Sequence, residues 1–447
     1  MTAVVPDPVD AGLVVPPAGL DVLIHALRER GYEVVGPTIR DRAIVYGEIT
    51  DAGQLPVGWT DVQNAASYRL ERRADDARFG YAVGPHSWKQ FLLPPRLRLM
   101  RIRQNRDSDA QNDAQNDVQI EEEPPPAAPL ALIGVRSCEL NAVAIQDRVL
   151  VTGRYPDRDY AVRREGLFII GVNCHEPGGT CFCVSMDTGP AIRRGSGYDL
   201  LLSEILEGEH RFLIEAGTPR GAELLAALNA AELNAAELND SAGKDTAGDD
   251  EDAAGRDTAG RDTAGTATAS VTGPGGCAVG RAARPVTSAD RAAAEAAVER
   301  AAARMGRVVD AGGLRDLLAA SLDHPRWDDV AERCLTCGNC TMVCPTCFCV
   351  TVEDVGDLAG GEAERWRSWE SCFSLDHSYL HGGAVRAAPR SRYRQWLTHK
   401  FGTWHDQFGS SGCVGCGRCI TWCPVGIDVT EELAAIRTNV APGDPPR

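Results

Sequence analysis

One cysteine pattern occurs twice in this 447-residue chain and limits what it can fold around. Cys334-x2-Cys337-x2-Cys340-x3-Cys344-Pro345 and Cys413-x2-Cys416-x2-Cys419-x3-Cys423-Pro424 share one spacing without a gap. Three thiols at x2 intervals lie on a loop tight enough to hold three corners of a cubane. The fourth thiol, three residues on, points away and in two-cluster proteins ligates the other cluster. Gly338, Gly415 and Gly417 remove side chains where backbone must approach the sulfides and donate N–H bonds. The pattern predicts two [4Fe-4S] clusters. The first takes Cys334, Cys337, Cys340 and Cys423, and the second takes Cys413, Cys416, Cys419 and Cys344. Zinc sites read as Cys-x2-Cys pairs separated by a longer loop, a different arrangement.

Compartment and charge narrow the rest. No run of eighteen apolar residues predicts a membrane span. Met1–Pro17 lacks the basic-then-apolar pattern of an export signal and has no twin arginine, so a cytoplasmic protein with reduced thiols is expected. Sixteen cysteines in such a chain point to metal rather than disulfides. A net charge of −17 argues against general nucleic-acid affinity, which needs a basic surface.

Residues 1–103 mix a helical pattern (Leu20–Arg30) with strand-like pieces such as Ala43–Ile49 and read as an α+β region. Residues 104–129 repeat Ala-Gln-Asn-Asp and then run through acidic and proline residues, so they read as a solvated insertion. In 130–239, strand Leu130–Val135, helix Glu139–Leu150 and strand Leu167–Val172 make an α/β unit, and Leu224–Leu238 reads as helix. Residues 240–276 repeat Asp-Thr-Ala-Gly and read as a disordered linker. Gly273, Gly275, Gly276 and Gly280 follow no strand, which argues against a nucleotide loop. From 277 to 440 the pattern is helical (Ser288–Met305, Leu314–Leu322, Thr430–Arg437). The expected fold is therefore an α+β / α/β N-terminal and middle region followed by a helix-rich, ferredoxin-like 4Fe-4S dicluster domain. Sixty-eight residues separate Cys344 from Cys413, with helical-looking segments around Tyr379 and Arg394–Lys400.

Four more cysteines, Cys138, Cys174, Cys181 and Cys183, are candidates for a third cluster; zinc or buried free thiols are the alternatives. Cys138 and Cys174 follow predicted strands, where α/β units place site residues. Cys347, Cys349 and Cys372 read as small packing residues beside the first cluster or as ligands of another site, and Cys277 as a free thiol. Arg386, Arg390, Arg392, Arg394 and Lys400 form a basic stretch that suits negative clusters, a partner-docking face or plain solvent exposure. His377, His381, His399 and His405 lack the companions of a metal site. Trp366, Trp369, Trp396, Trp404 and Trp422 are expected to shield clusters from water or to pack the core. No catalytic triad or Walker loop is present, nor any adjacent Cys-Cys pair.

Several runs occur together: Cys181-Phe-Cys183 with Gly189-Pro190, Cys344-Pro-Thr-Cys347-Phe-Cys349, Trp369-Glu-Ser-Cys372, Arg392-Tyr-Arg394 with His399-Lys400-Phe401, and Cys413-Val-Gly-Cys416-Gly-Arg-Cys419. With these the chain resembles the beta (iron–sulfur) subunit of cytoplasmic NiFe hydrogenases (sulfhydrogenases) and its relative in anaerobic sulfite reductase. The resemblance covers roughly 130–215 and 330–435, and more weakly the N-terminal region; the two low-complexity insertions depart from the family pattern. It implies an electron-wire subunit between a flavoprotein that handles NAD(P)H and a catalytic partner, a NiFe hydrogenase or a sulfite reductase. No substrate-binding motif is evident in the residues themselves, and a zinc-stabilised binding module or a stand-alone iron–sulfur enzyme or sensor are the alternatives.

Overall fold

The computed structural model of the chain describes residues 12–82, 84–105, 117–124, 128–230, 283–358 and 361–438. In chain order the first elements are β1 (Gly12–Val15), α1 (Gly19–Glu29), β2 (Glu33–Arg40), β3 (Ala43–Glu48), β4 (Trp59–Asn64), β5 (Ser67–Arg72), α2 (Lys89–Leu92), β6 (Arg96–Asn105) and β7 (Asp117–Glu122). There follow β8 (Leu130–Val135), α3 (Ser137–Leu150), α4 (Arg158–Glu165), β9 (Phe168–Val172), β10 (Leu200–Ile205), β11 (Arg211–Ala216) and a helix over 219–230, α5.

β8 and β9 are continuous apolar runs because they lie at the middle of a sheet covered on both faces. They pair in parallel, with Ala131 opposite Phe168, and β2 and β10 extend the parallel set outward. With β12 (Arg284–Pro285), the eight-stranded sheet runs β12-β1-β11-β10-β9-β8-β2-β3. Ile133, Phe168 and Ile170 face a layer built from α1 and α5. Leu132, Ile169 and Leu201 face the opposite layer, from α2, α3 and α4. α1 forms because Leu20, Leu23, Ile24 and Leu27 recur at helical spacing and all are buried.

The second half comprises α6 (Ser288–Ala303), α7 (Leu314–Ala320), α8 (Arg326–Arg333), α9 (Asn339–Met342), β13 (Val350–Gly356), β14 (Glu362–Trp369), β15 (Tyr379–Leu380) and β16 (Gly383–Ala384). It closes with α10 (Pro389–Thr398), a π-helical turn over His399–Thr403, α11 (Trp404–Phe408), α12 (Arg418–Thr421) and α13 (Val429–Thr438). The helices bury Trp327, Phe373, Tyr393, Trp396, Leu397, Phe401 and Leu433 in a separate core.

Four expectations from the sequence differ from what is observed. Residues 117–122, read as solvated insertion, form β7, because Val118 and Ile120 alternate with polar residues and Ile120 sits opposite Ile102 of β6. The stretch between the motifs, expected to be helix-rich, holds the β13–β14 hairpin, while its Arg394–Lys400 segment is helical as expected. β14 pairs with β6 to give a four-stranded sheet, β13-β14-β6-β7. Ion pairs from Arg98 and Arg101 to Glu364 cross that junction. The segment around Tyr379 is a two-residue strand pair; Gly382, with φ at +95°, turns the chain where a helix would need to continue. α6, grouped by sequence with the dicluster region, packs on β10 and β11 of the large sheet. Residues 240–276, Cys277, Gly280 and the end of the expected helix 224–238 lie outside the described residues. Among the described residues no helix is long and apolar enough to cross a membrane.

Candidate metal centre

The two cysteine motifs fold alike. In each, the residue two after the first cysteine has positive φ, Thr336 at +51° and Gly415 at +64°, and its amide donates to the first thiol. Those bonds run from Thr336 N to Cys334 Sγ and from Gly415 N to Cys413 Sγ, both 3.4 Å. A glycine in the left-handed region, Gly338 or Gly417, then starts a short helix, α9 or α12, and these two helices touch. A third amide, Ile427 N, donates to Cys423 Sγ at 3.4 Å. N–H···S bonds of this kind stabilise thiolate carried by a cluster.

Cys334, Cys337, Cys340, Cys423 and, from the second motif, Cys419 line one hollow together with Phe373, Tyr393 and Trp396. The Tyr393 hydroxyl and Trp396 Nε1 are buried without a hydrogen-bond partner among the described residues. Two orphaned donors at one hollow lined by thiols fit sulfide acceptors between them.

The second set meets around Lys400. Its Nζ, fully buried, donates to Cys344 Sγ (3.3 Å), Thr346 Oγ1 (2.9 Å) and the Gly412 carbonyl (3.1 Å). Cys413 and Cys416 lie within electrostatic reach of Cys344 and Cys419. Burial pushes the Cys413 thiol to about 12, with Lys400 opposing, and drives Cys340 and Cys419 well above the usual value. Cys344 goes the other way. A hydrogen bond with the Cys347 thiol, and the Lys400 ammonium against the push of burial, hold it well below the usual thiol range. Thiols as reluctant to ionise as Cys340, Cys413 and Cys419 serve poorly as free nucleophiles and become thiolates on binding a metal.

Cys138, Cys174, Cys181 and Cys183 also converge. They line a second hollow with Arg136, Met305 and, from the second motif, Cys416. Cys138 opens α3 directly after β8, and Cys174 follows β9, so the sheet's strand ends carry two of the four. The Cys181–Cys183 loop lies on the second motif: Phe182 N donates to the Gly415 carbonyl at 2.8 Å. Side chains at Gly415 and Gly417 would meet Phe182 O at 2.6 Å and Thr180 O at 2.3 Å. No three Cys, His, Asp or Glu among the described residues come together closely enough for a single metal ion.

Of the basic stretch, only Lys400 reaches a motif cysteine. Arg390 pairs with Asp328, Arg392 holds the Phe373 and Ala387 carbonyls, and Arg394 binds the Leu322 carbonyl. Trp396 lines the first hollow and Trp404 packs against Cys138, Cys183 and Cys416, whereas Trp366 stacks on Arg96 away from the thiols. His399 bonds to Gln407 and stacks near Trp404. Three features were missed in the sequence: Lys89, buried beside Cys347; Arg136, beside Cys174; and the buried pair of Arg418 and Glu139. Arg418 lies within the second motif and could have been suspected. Lys89 sits far upstream in unremarkable sequence.

Residues 333–427 match the family model described as a 4Fe-4S dicluster domain. The chain is 27% identical, over 384 residues, to the beta subunit of sulfhydrogenase 2 from Pyrococcus furiosus, an alignment spanning 85% of this chain and 92% of that protein. No solved structure matches the chain. The chain therefore carries an iron–sulfur domain of the 4Fe-4S dicluster type at its helix-rich C-terminal end, and is similar along most of its length to a hydrogenase beta subunit.

Proposed function

We propose that the chain is an iron–sulfur electron-transfer subunit of a multi-subunit cytoplasmic oxidoreductase. It would hold one cluster on Cys334, Cys337, Cys340 and Cys423, a second on Cys413, Cys416, Cys419 and Cys344, and a third on Cys138, Cys174, Cys181 and Cys183. One observation carries this reading: the second motif touches both other sets, so that the three would make a row. Cys416 borders the hollow of the third set, and Cys419 borders that of the first.

When bound, clusters of this kind each take up and release one electron at a potential set by charge, N–H···S bonds and solvent exposure. The chain's own residues act on the row. Lys400 places a buried cation against Cys344. Thr336, Gly415 and Ile427 point amides at sulfur. Phe373 and Trp396 keep water from the first set's inner wall. At the other side of that set Cys337 is exposed and Leu335 is 61% exposed, which gives one end of the row a face at the surface. Similarity to a sulfhydrogenase beta subunit supports a place in a multi-subunit complex; the partners proposed for it are a flavoprotein linked to NAD(P)H and a catalytic subunit, either a NiFe hydrogenase or a sulfite reductase.

Anaerobic purification of the full chain tests this. Iron and acid-labile sulfide of at least about twelve per chain are expected for three cubanes, with reduction by NAD(P)H only when the flavoprotein is added. A colourless, sulfide-free protein would overturn the iron–sulfur reading. Hydrogen oxidation or sulfite reduction by the chain alone, with an artificial dye, would overturn the relay reading.

A further inference from the structure

Three described cysteines remain outside the three sets. Cys347 and Cys349 follow the first motif, and Cys372 follows β14. The Glu370 amide donates to the Cys349 carbonyl at 2.9 Å, which brings the two segments side by side, and Cys349 and Cys372 interact electrostatically. From this cluster of thiols and the cations that face it, we infer that Cys347, Cys349 and Cys372 hold a fourth iron–sulfur cluster. The inference rests on the iron–sulfur reading above.

The cations carry the argument. Lys89 is 4% exposed; its Nζ donates to the Cys347 carbonyl at 3.1 Å and lies 3.7 Å from the Trp369 ring centroid. Lys400, 5% exposed, comes within 3.7 Å of Cys347 Sγ. Neither ammonium has a carboxylate partner among the described residues. Arg386 faces Cys372, and its buried Nε has no partner among the described residues. Cations are taken out of water only when something anionic receives them. Thiols acting as small packing residues supply no charge, whereas thiolates around iron and sulfide do.

The set contributes three sulfurs, and Glu370, whose Oε1 accepts from Ser371 N at 3.1 Å and Ser374 Oγ at 2.5 Å, is the carboxylate beside it that would supply a fourth ligand. Its place is lateral to the row. Cys372 interacts with Cys340 of the first set, and Cys347 shares Lys400 with Cys344 of the second. A fourth cluster there turns the row into a branch.

The test uses the full chain, expressed and purified anaerobically, with Cys349→Ala and Cys372→Ala. Each variant is expected to lose about three to four irons with matching sulfide and one signal from the dithionite-reduced EPR spectrum, the other signals persisting. Wild-type iron, sulfide and spectra in both variants would overturn the inference. Cys413→Ala serves as the control for the wider reading, since it alone should deplete the second cluster. If a cysteine variant does not fold, Lys89→Met decides, because every thiol is kept. A fall in the midpoint of one EPR signal supports the fourth cluster, and an unchanged redox titration overturns it.

Discussion

Arg418, between two cysteines of the second motif, donates from Nη2 to Glu139 Oε1 at 2.6 Å, and both side chains are fully buried. Arg418 Nε also holds the Gly84 carbonyl at 2.9 Å, and the Tyr46 hydroxyl donates to the other Glu139 oxygen at 2.9 Å. Glu139 is next in the chain to Cys138, so this one pair locks the second motif onto the start of α3. Breaking a buried pair strands a charge and costs about 3–5 kcal/mol, whereas an apolar replacement of both partners is close to neutral. Glu139→Ala is therefore expected to lower the unfolding midpoint strongly under anaerobic conditions. The double variant Glu139→Leu with Arg418→Met should recover most of the loss. A double variant no better than the single would contradict the pairing.

Lys400 is the buried cation of the second set. Adding an electron beside it is easier than without it, so Lys400→Met should make that cluster harder to reduce. A unit charge about 4 Å away at an effective dielectric near 20 is worth about 4 kcal/mol, a fall on the order of 100 mV for one electron. Redox titration followed by EPR checks this, with iron content expected to stay at the wild-type level.

Glu204 is buried in the large sheet. Burial alone would raise its carboxyl, but hydrogen bonds from His175 and His210 and from the Arg78 and Phe79 amides hold it down at about 2, from an ordinary 4.5. A value depressed in the folded state stabilises the fold fully above pH 4.5 and loses that contribution as pH falls toward 2. The full contribution is about 3 kcal/mol. The gap in urea midpoint between wild type and Glu204→Gln should be constant from pH 7 to about 5 and narrow below that. A gap independent of pH throughout would show that the carboxylate charge is not what stabilises.

Gly417 has φ at +73°, and a methyl group there would meet the Thr180 carbonyl at 2.3 Å. Left-handed backbone alone costs an alanine about 1–2 kcal/mol, and the clash with a fixed carbonyl adds to it. Gly417→Ala should push the Thr180–Cys183 loop off the second motif, with iron lost from the second and third sets before the first. Site-resolved EPR measures the order of loss.

Legibility in the sequence followed distance along the chain. The eight motif cysteines are readable because their spacing is local, and β8, α3 and β9 because their periodicities are plain. The gathering of Cys138, Cys174 and the Cys181–Cys183 loop was only half visible: strand ends suggest a site, but not that the loop rests on Gly415. Lys89 was invisible. It meets Cys347 258 positions away, and nothing near it in sequence marks a buried ammonium. β14 was missed because Glu-Ala-Glu-Arg-Trp-Arg-Ser-Trp lacks the branched residues that signal strands. What makes it a strand is β6, far upstream, whose arginines alternate with apolar residues.

That pairing of β14 with β6 has a consequence for how the protein is made. The ribosome releases β6 and β7 long before the hairpin between the two cysteine motifs, and Cys423 follows both. Under the crossed ligation proposed above, the first set could not be completed until nearly the whole polypeptide exists, and a protein cut short before Cys423 would leave it one thiolate short.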